Sequence, residues 1–204
     1  MTLKLNGSSS GSVAIDAPAA TTGGADVTLT LPVNDGEAGQ VLRTNGLGTL
    51  TWIYPAGYGA FRAYRNGNQT MVHNTFDVVE YNAETYDTQN WYDHSTNFRY
   101  TPQVAGYYKF DAAVFLSGLS TDSTEFQLNF YKNGTVHSKS ERSDDASYGG
   151  QQSTIVTDTF QLNGSSDYVD VRLLNYNSSS SNRDLNGASP YHLNWFTGYL
   201  VEAT

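Results

Sequence analysis

Cysteine is absent from all 204 residues. Its absence excludes disulfides, thiolate nucleophiles and cysteine-type zinc sites. Charge is scarce as well: 15% of residues are charged, and 11 Lys and Arg stand against 20 acids, a formal net charge of −9. The basic residues are scattered and form no run, which argues against nucleic acid as a partner, because counterion release needs clustered cations. No apolar run approaches the roughly 20 residues of a spanning helix, so no membrane insertion is expected. No window sustains a 3.6-residue apolar period, so almost no helix is expected. The four histidines, His73, His94, His137 and His192, form no H-E-x-x-H or H-x-x-E-H pattern. The serines cluster in low-complexity turns, not at a G-x-S-x-G elbow between strand and helix. Gly23-Gly24 and Gly149-Gly150 lack a following Lys-Ser/Thr and read as turn glycines, not phosphate loops. The chain is therefore not expected to be an enzyme or to carry a cofactor.

What is present is aromatic and polar. Aromatics reach 13%, and Ser, Thr, Asn and Gly fill much of the remainder, a composition of β-rich, extracellular-type surfaces. The opening Met1-Thr2-Leu3-Lys4-Leu5-Asn6 has no apolar core of signal-peptide length. Together with the missing cysteines this leads to the expectation of a protein folded in a reducing cytoplasm and exposed outside afterwards. Asn6, Asn68, Asn133, Asn163 and Asn177 stand in N-x-S/T contexts, as chance dictates in a chain so rich in these residues.

Two regions differ in texture. Residues 1–57 contain no Phe or His and read as short strands broken by turns: Leu3-Lys4-Leu5, Val13-Ala14-Ile15 and the alternating Asp26–Leu31, which stops at Pro32. Val41-Leu42 and Leu50-Thr51-Trp52 are short apolar patches around the turn signal Asn45-Gly46. A segment so poor in apolar residues cannot form a core alone. Tyr54–Gly59, with one Pro and two Gly, reads as a hinge. From residue 58 onward, alternating strands follow one another. Tyr108, Phe110, Ala112 and Val114 share a face; so do Phe126, Leu128 and Phe130, and Val169, Val171 and Leu173. Asn133-Gly134 between two such runs signals a hairpin. Many short strands with regular turns imply an all-β sandwich or jelly roll.

The aromatic spacing is specific. Phe76 is followed after five residues by Asn82, and later comes Gly106-Tyr107-Tyr108-Lys109-Phe110. Ala60-Phe61-Arg62-Ala63-Tyr64 precedes them, and Phe196-Thr197-Gly198-Tyr199-Leu200 closes the chain. This pattern resembles the C1q/tumour-necrosis-factor-like jelly roll, with its F-x5-[ND], G-x-Y-x-F and final F-x-G-x-L. The resemblance covers about residues 60–204 and implies a trimeric binding head. Its structural positions fall on Phe76, Asn82, Tyr100, Gly106, Tyr108, Phe110, Phe196, Gly198 and Leu200. The family's spacing is broken after Asn82, where nine residues instead of four precede Tyr92, the position matched to the motif's next aromatic. A longer loop over residues 83–91 accounts for this.

Several strands are aromatic on both faces: Tyr107 and Phe115 oppose Tyr108, Phe110 and Val114, and Phe196 and Leu200 oppose Trp195 and Tyr199. A sandwich strand needs one apolar face; the second calls for a partner, and the resemblance implies two sister copies around a threefold axis. Residues 1–57 resemble the N-terminal segments of tailed-phage fibre proteins, notably those of cyanobacterial phages. This resemblance implies a virion protein made in the host cytoplasm and extracellular after lysis, whose residues 1–57 attach to other virion proteins and whose residues 58–204 form the head. A fibre or spike binding host-surface glycans is expected. A capsid-decorating head fibre, knob or cement protein and a secreted C1q-like lectin are the alternatives.

Recognition is sought in polar loops at the ends of the strands. Tyr148 within Ser-Tyr-Gly-Gly and Tyr176 before Asn177-Ser178-Ser179 offer flat rings beside amides and hydroxyls, the chemistry that holds sugars. Trp91 and Tyr92 offer a second such place, with core packing as their other reading. Asp144 and Asp145, and Asp184 with Asn182 and Asn186, could supply oxygens to calcium, although neither stretch carries the full D-x-[DN]-x-[DN]-G pattern.

Overall fold

The computed structural model describes residues 3–6, 9–16, 18–119, 124–144, 150–187 and 192–204. The chain divides into two compact units, Met1–Ile53 and Tyr54–Thr204.

In the first unit, β1 (Leu3–Asn6) pairs antiparallel with β2 (Ser12–Ile15), and β3 (Val41–Thr44) with β4 (Leu50–Ile53). Asn45 sets the second hairpin: its Oδ1 accepts hydrogen bonds from the Leu47 and Thr49 amides at 2.8 and 3.1 Å. The expected strand over Asp26–Leu31 does not form. Only Thr30 pairs, in a bridge to Thr49, and Val27, Leu29 and Leu31 are exposed. Alternation gives a strand one apolar face, but among the described side chains of this unit none buries the face that Val27, Leu29 and Leu31 present. None of the described side chains of this unit is buried, in keeping with its poverty in apolar residues. The only described helical turn is a 3-10 turn at Thr22–Gly24. No described helix is long and apolar enough to cross a membrane.

The second unit begins with β5 (Phe61–Tyr64), β6 (Gln69–Met71), β7 (Phe76–Val78), β8 (Ala83–Asp87), β9 (Tyr92–Asp93) and β10 (Arg99–Tyr100). It continues through the long strands β11 (Ala105–Leu119), β12 (Thr124–Lys132), β13 (Thr135–Asp144), β14 (Gly150–Asn163) and β15 (Val169–Asn177), then β16 (Arg183–Leu185) and β17 (Trp195–Ala203). One sheet is built on β11, which pairs with β14 along one side and with β17 and β16 along the other. β17 then leads to β5 and β8, and β16 to β6. The second sheet runs β13-β12-β15-β10-β9, with β7 also on β15. β12 and β13 are joined by Asn133 and Gly134, at φ 52° and 77°, the two-residue hairpin that Asn-Gly favours. Residues 83–91 are not a long loop, as the broken spacing implied. β8 occupies most of them and adds to the sheet beside β5.

The sheets enclose an aromatic core. Tyr108, Phe110, Phe130, Phe61, Tyr100 and Phe196 are fully buried. Phe110 lies at the centre, with ring centroids 5.2 Å from Phe160, 5.6 Å from Tyr100 and 5.8 Å from Phe196. Every phenol in this core finds a backbone carbonyl. Tyr100 donates to Gly59 at 2.7 Å, Tyr108 to Val104 at 2.8 Å, Tyr81 to Ala113 at 3.2 Å and Tyr92 to Tyr81 at 3.2 Å. Burial pushes the phenols of Tyr81, Tyr92, Tyr100 and Tyr108 up, so they remain neutral donors.

Of the motif residues, Tyr100, Tyr108, Phe110, Phe196 and Leu200 lie in this core. Asn82 acts as a clamp: its Oδ1 accepts from the Asn66 amide at 2.8 Å and its Nδ2 donates to the Asn66 carbonyl at 3.2 Å. Gly106 lets β17 approach; a Cβ there would lie 2.5 Å from the Glu202 carbonyl oxygen. Phe76 departs from expectation. It is 39% exposed on the three-residue strand β7, and its ring reaches Tyr131 at 6.2 Å. Val79 and Tyr81 fill the core in its place.

Candidate functional site

Two surfaces of the second unit carry features beyond those needed to fold it. One is the outward face of the β11 sheet. Because Phe196, Gly198 and Leu200 point inward, Trp195, Thr197 and Tyr199 point out. The register lines Ile155, Ala113, Trp195 and Tyr64 across four strands, and Lys109 beside Tyr199. Ile155 is 56% exposed, Tyr107 46%, and Tyr199 and Val201 41% each. These large groups remain in water although the sheet's other face already forms the core. Ionic groups interrupt them: Lys109 pairs with Asp111 at 3.2 Å and both bond to Thr157, and Arg62 on β5, opposite Thr197, reaches over the Trp195 ring at 5.8 Å from its centroid.

The other is a polar cleft at the edge of the opposite sheet, lined by Asn90, Trp91, Asp93, Asn97, Arg99 and Gln103, with Tyr92 and Thr101, and about 390 Å³ in volume. It is built on the short hairpin of β9 and β10, where Tyr92 pairs with Tyr100 and Asp93 with Arg99. The hairpin is closed by Asp93. Its carboxylate accepts from the amides of Ser95, Thr96 and Asn97 at 3.0, 2.9 and 3.0 Å, from the Ser95 hydroxyl at 3.1 Å and from Asn97 Nδ2 at 2.8 Å. Burial alone would raise this carboxyl, but the donors outweigh it and hold it well below the usual carboxylate range. The Thr101 amide donates to the Trp91 carbonyl at 2.8 Å and fixes the cleft's other rim.

Trp91 is half-buried, with edge contacts to Tyr58 and Tyr100 at 5.6 and 6.1 Å between centroids. Its ring lies over Gly59, whose φ of +66° and lack of a Cβ permit the approach. Arg99 rests on the ring of Tyr168, 4.3 Å from its centroid.

The residues singled out from sequence are dispersed. Trp91 lines the cleft. Tyr92 turns inward, 5% exposed and stacked on Phe61 at 5.1 Å, so it offers a ligand no ring face. Tyr176 is 49% exposed and stacked on His73 at 5.4 Å. It stands seven residues along β15 from the Tyr100–Val169 pair, which places it roughly 20 Å away at about 3.3 Å per residue. Tyr148 and Asp145 lie outside the described residues. Asp144 ends β13 in one sheet, while Asp184 lies on β16 in the other and accepts from the Thr70 hydroxyl at 2.7 Å. Among the described residues no group of three or more acids and histidines gathers in a metal-like cluster. Asn97, Arg99 and Gln103 escaped the sequence reading. The nearest signal was Asp93 with Asn97 four residues on, an Asx-type turn beside Trp91.

The two sheets and the aromatic core they enclose form an all-β jelly roll of the C1q/TNF type. No family model and no curated protein matches the chain. Among solved structures, Eiger TNF from S. frugiperda is similar at 12% identity, over 74% of this chain and 95% of that one, with a TM-score of 0.50. The globular domain of zebrafish complement 1qA protein matches at 18% identity, 72% and 99% coverage and a TM-score of 0.47. Murine APRIL at pH 5.0 matches at 11%, 69% and 97%, with a TM-score of 0.48.

Proposed function

We propose that this chain is a structural protein of a tailed-phage virion, a non-enzymatic trimeric fibre or spike whose jelly-roll head binds host-surface glycans. The observation that carries the reading is the outward face of the β11 sheet, where Tyr107, Ile155, Tyr199 and Val201 stand in solvent on a sheet whose other side is already core. Covering it with two sister copies removes this surface from water. Tyr107 and Tyr199, 46% and 41% exposed, each bring less than half of the roughly 150–250 Å² that a fully buried aromatic covers, worth about 25 cal/mol per Å². Lys109 and Asp111 neutralise each other, so that pair enters the contact without net charge, while Arg62 on the same face keeps the Trp195 ring and His192 as its partners.

Residues 1–57 attach the trimer to other virion proteins, and residues 58–204 project. The absence of cysteine supports a protein folded in the host cytoplasm and released by lysis. The Trp91 cleft lies on the sheet opposite the proposed contact face, so trimer formation leaves three copies of it displayed, and weak sugar contacts gain by avidity. Immunogold labelling of intact particles, paired with glycan-array and whole-cell binding by the purified protein, tests the reading. Labelled fibres and retained glycans support it. Labelled capsids without retention by any host favour a decorating protein, and unlabelled particles refute the virion role.

A further inference from the structure

The cleft at β9 and β10 contains a cation without a carboxylate of its own. Among the described residues, the Arg99 guanidinium makes no ion pair; it lies on the face of Tyr168. The two acids beside it are occupied. Asp170 stands opposite Arg99 across the β10–β15 pair, but Arg172 takes both of its oxygens, Nε at 2.6 Å and a terminal nitrogen at 3.3 Å. Asp93, opposite on the other side, is saturated by the five donors of its own turn. An arginine laid flat on an aromatic ring is held in place before a ligand arrives, so little is lost in ordering it.

From this we propose that the cleft binds an anionic sugar, with Arg99 gripping the acid group and Trp91 offering an apolar edge to the pyranose ring. The inference rests on the glycan-binding reading above and specifies its ligand. The planar guanidinium fork matches the two oxygens of a carboxylate or the oxygens of a sulfate ester. Asn90, Asn97, Thr101 and Gln103 line the same cleft and bring the amide and hydroxyl groups that pair with sugar hydroxyls. About 390 Å³ falls at the small end of ligand clefts, which run from roughly 300 to 1,000 Å³, so one or two sugar units fill it. The chain's more distant negative charges are largely screened beyond about 8 Å at physiological salt, while Asp93 in the lining keeps its charge with its oxygens turned to the donors of its own turn.

The test is calorimetric titration of the full chain with three probes: oligogalacturonate, a sulfated galactan oligomer and a neutral galactan oligomer. One or both acidic probes bind, more weakly as salt rises, and the neutral probe binds at least about tenfold less tightly. Preference between the two acidic probes identifies the carboxylate or the sulfate. Arg99→Gln lowers acidic binding by about tenfold or more while the variant keeps the wild-type circular dichroism spectrum, and Arg99→Lys recovers part of it. Should Arg99→Gln fail to fold, the wild-type salt dependence decides. Equal binding of all three probes, or acidic binding untouched by Arg99→Gln, overturns the anionic-sugar assignment and leaves the glycan-binding reading standing. If none of the three probes binds, the assignment is overturned, and the glycan array then decides whether any glycan reading survives.

Discussion

Gly198 and Phe110 face each other across β17 and β11, and the glycine's missing side chain is what admits the ring. A Cβ at Gly198 would lie 2.4 Å from Phe110 Cδ1 and 2.9 Å from the Lys109 carbonyl oxygen. Phe110 has no room to retreat, since Phe160, Tyr100 and Phe196 surround it. Gly198→Ala is therefore expected to destabilise the fold by about 1–3 kcal/mol through overpacking, less a few tenths for the reduced freedom of the unfolded chain. Urea unfolding followed by tyrosine and tryptophan fluorescence reads the shift in midpoint.

Gly134 makes the opposite case. A Cβ there meets only the Tyr168 hydroxyl, at an ordinary 3.5 Å, but φ is +77°. Gly134→Ala should cost about 1–2 kcal/mol from left-handed backbone strain alone. Gly134→Asn should cost less, because asparagine tolerates that region. Thermal melts of the two variants side by side check the order.

These two glycines mark what the sequence made legible. Alternation along β11, β12, β15 and β17 sorted their residues into two faces, because a strand turns its side chains to opposite sides with period two; which face became core emerged only when the two sheets packed. Asn133-Gly134 announced its hairpin through conformations that few other pairs adopt. Asp26–Leu31 shows the limit of the same reasoning: alternation creates a surface for a partner without creating the partner. Phe76 was misplaced because motif spacing counts residues along the chain, while the short edge strand β7 leaves it half in water and lets Tyr81 take the core position. At the cleft, Trp91 could be picked out by its aromatic ring in a polar stretch. Arg99 could not, because Tyr168 comes under it only when β10 pairs with β15.

Asp93 couples the cleft to pH. Its folded-state carboxyl is held low by the Ser95, Thr96 and Asn97 donors against the upward push of burial. A depressed folded value contributes stability that is complete above the unfolded value of about 3.9 and is lost as pH falls from there through the folded value. Asp93→Asn is expected to destabilise the β9–β10 turn by about 1–2 kcal/mol at neutral pH. The gap to wild type should narrow as pH drops below about 4. Hydrogen exchange of the Ser95, Thr96 and Asn97 amides, measured at several pH values, reads this locally.

The outward face of the β11 sheet yields a dissociation experiment. Ile155→Lys places a charge at a 56% exposed position that a lone chain tolerates and a buried contact does not. The variant is expected to lose about 2 kcal/mol or more per contact and to migrate as a smaller species in size-exclusion chromatography, with an unchanged circular dichroism spectrum. An exposed lysine away from this face, at Ser178, should change neither.

Sedimentation equilibrium of the full chain at micromolar concentration is the most direct measurement of the central claim, that sister copies cover Tyr107, Ile155 and Tyr199. The expected mass is three times that of the chain, with no detectable single chains. A folded species of single-chain mass, stable at that concentration, would contradict the trimer and the spike reading built on it.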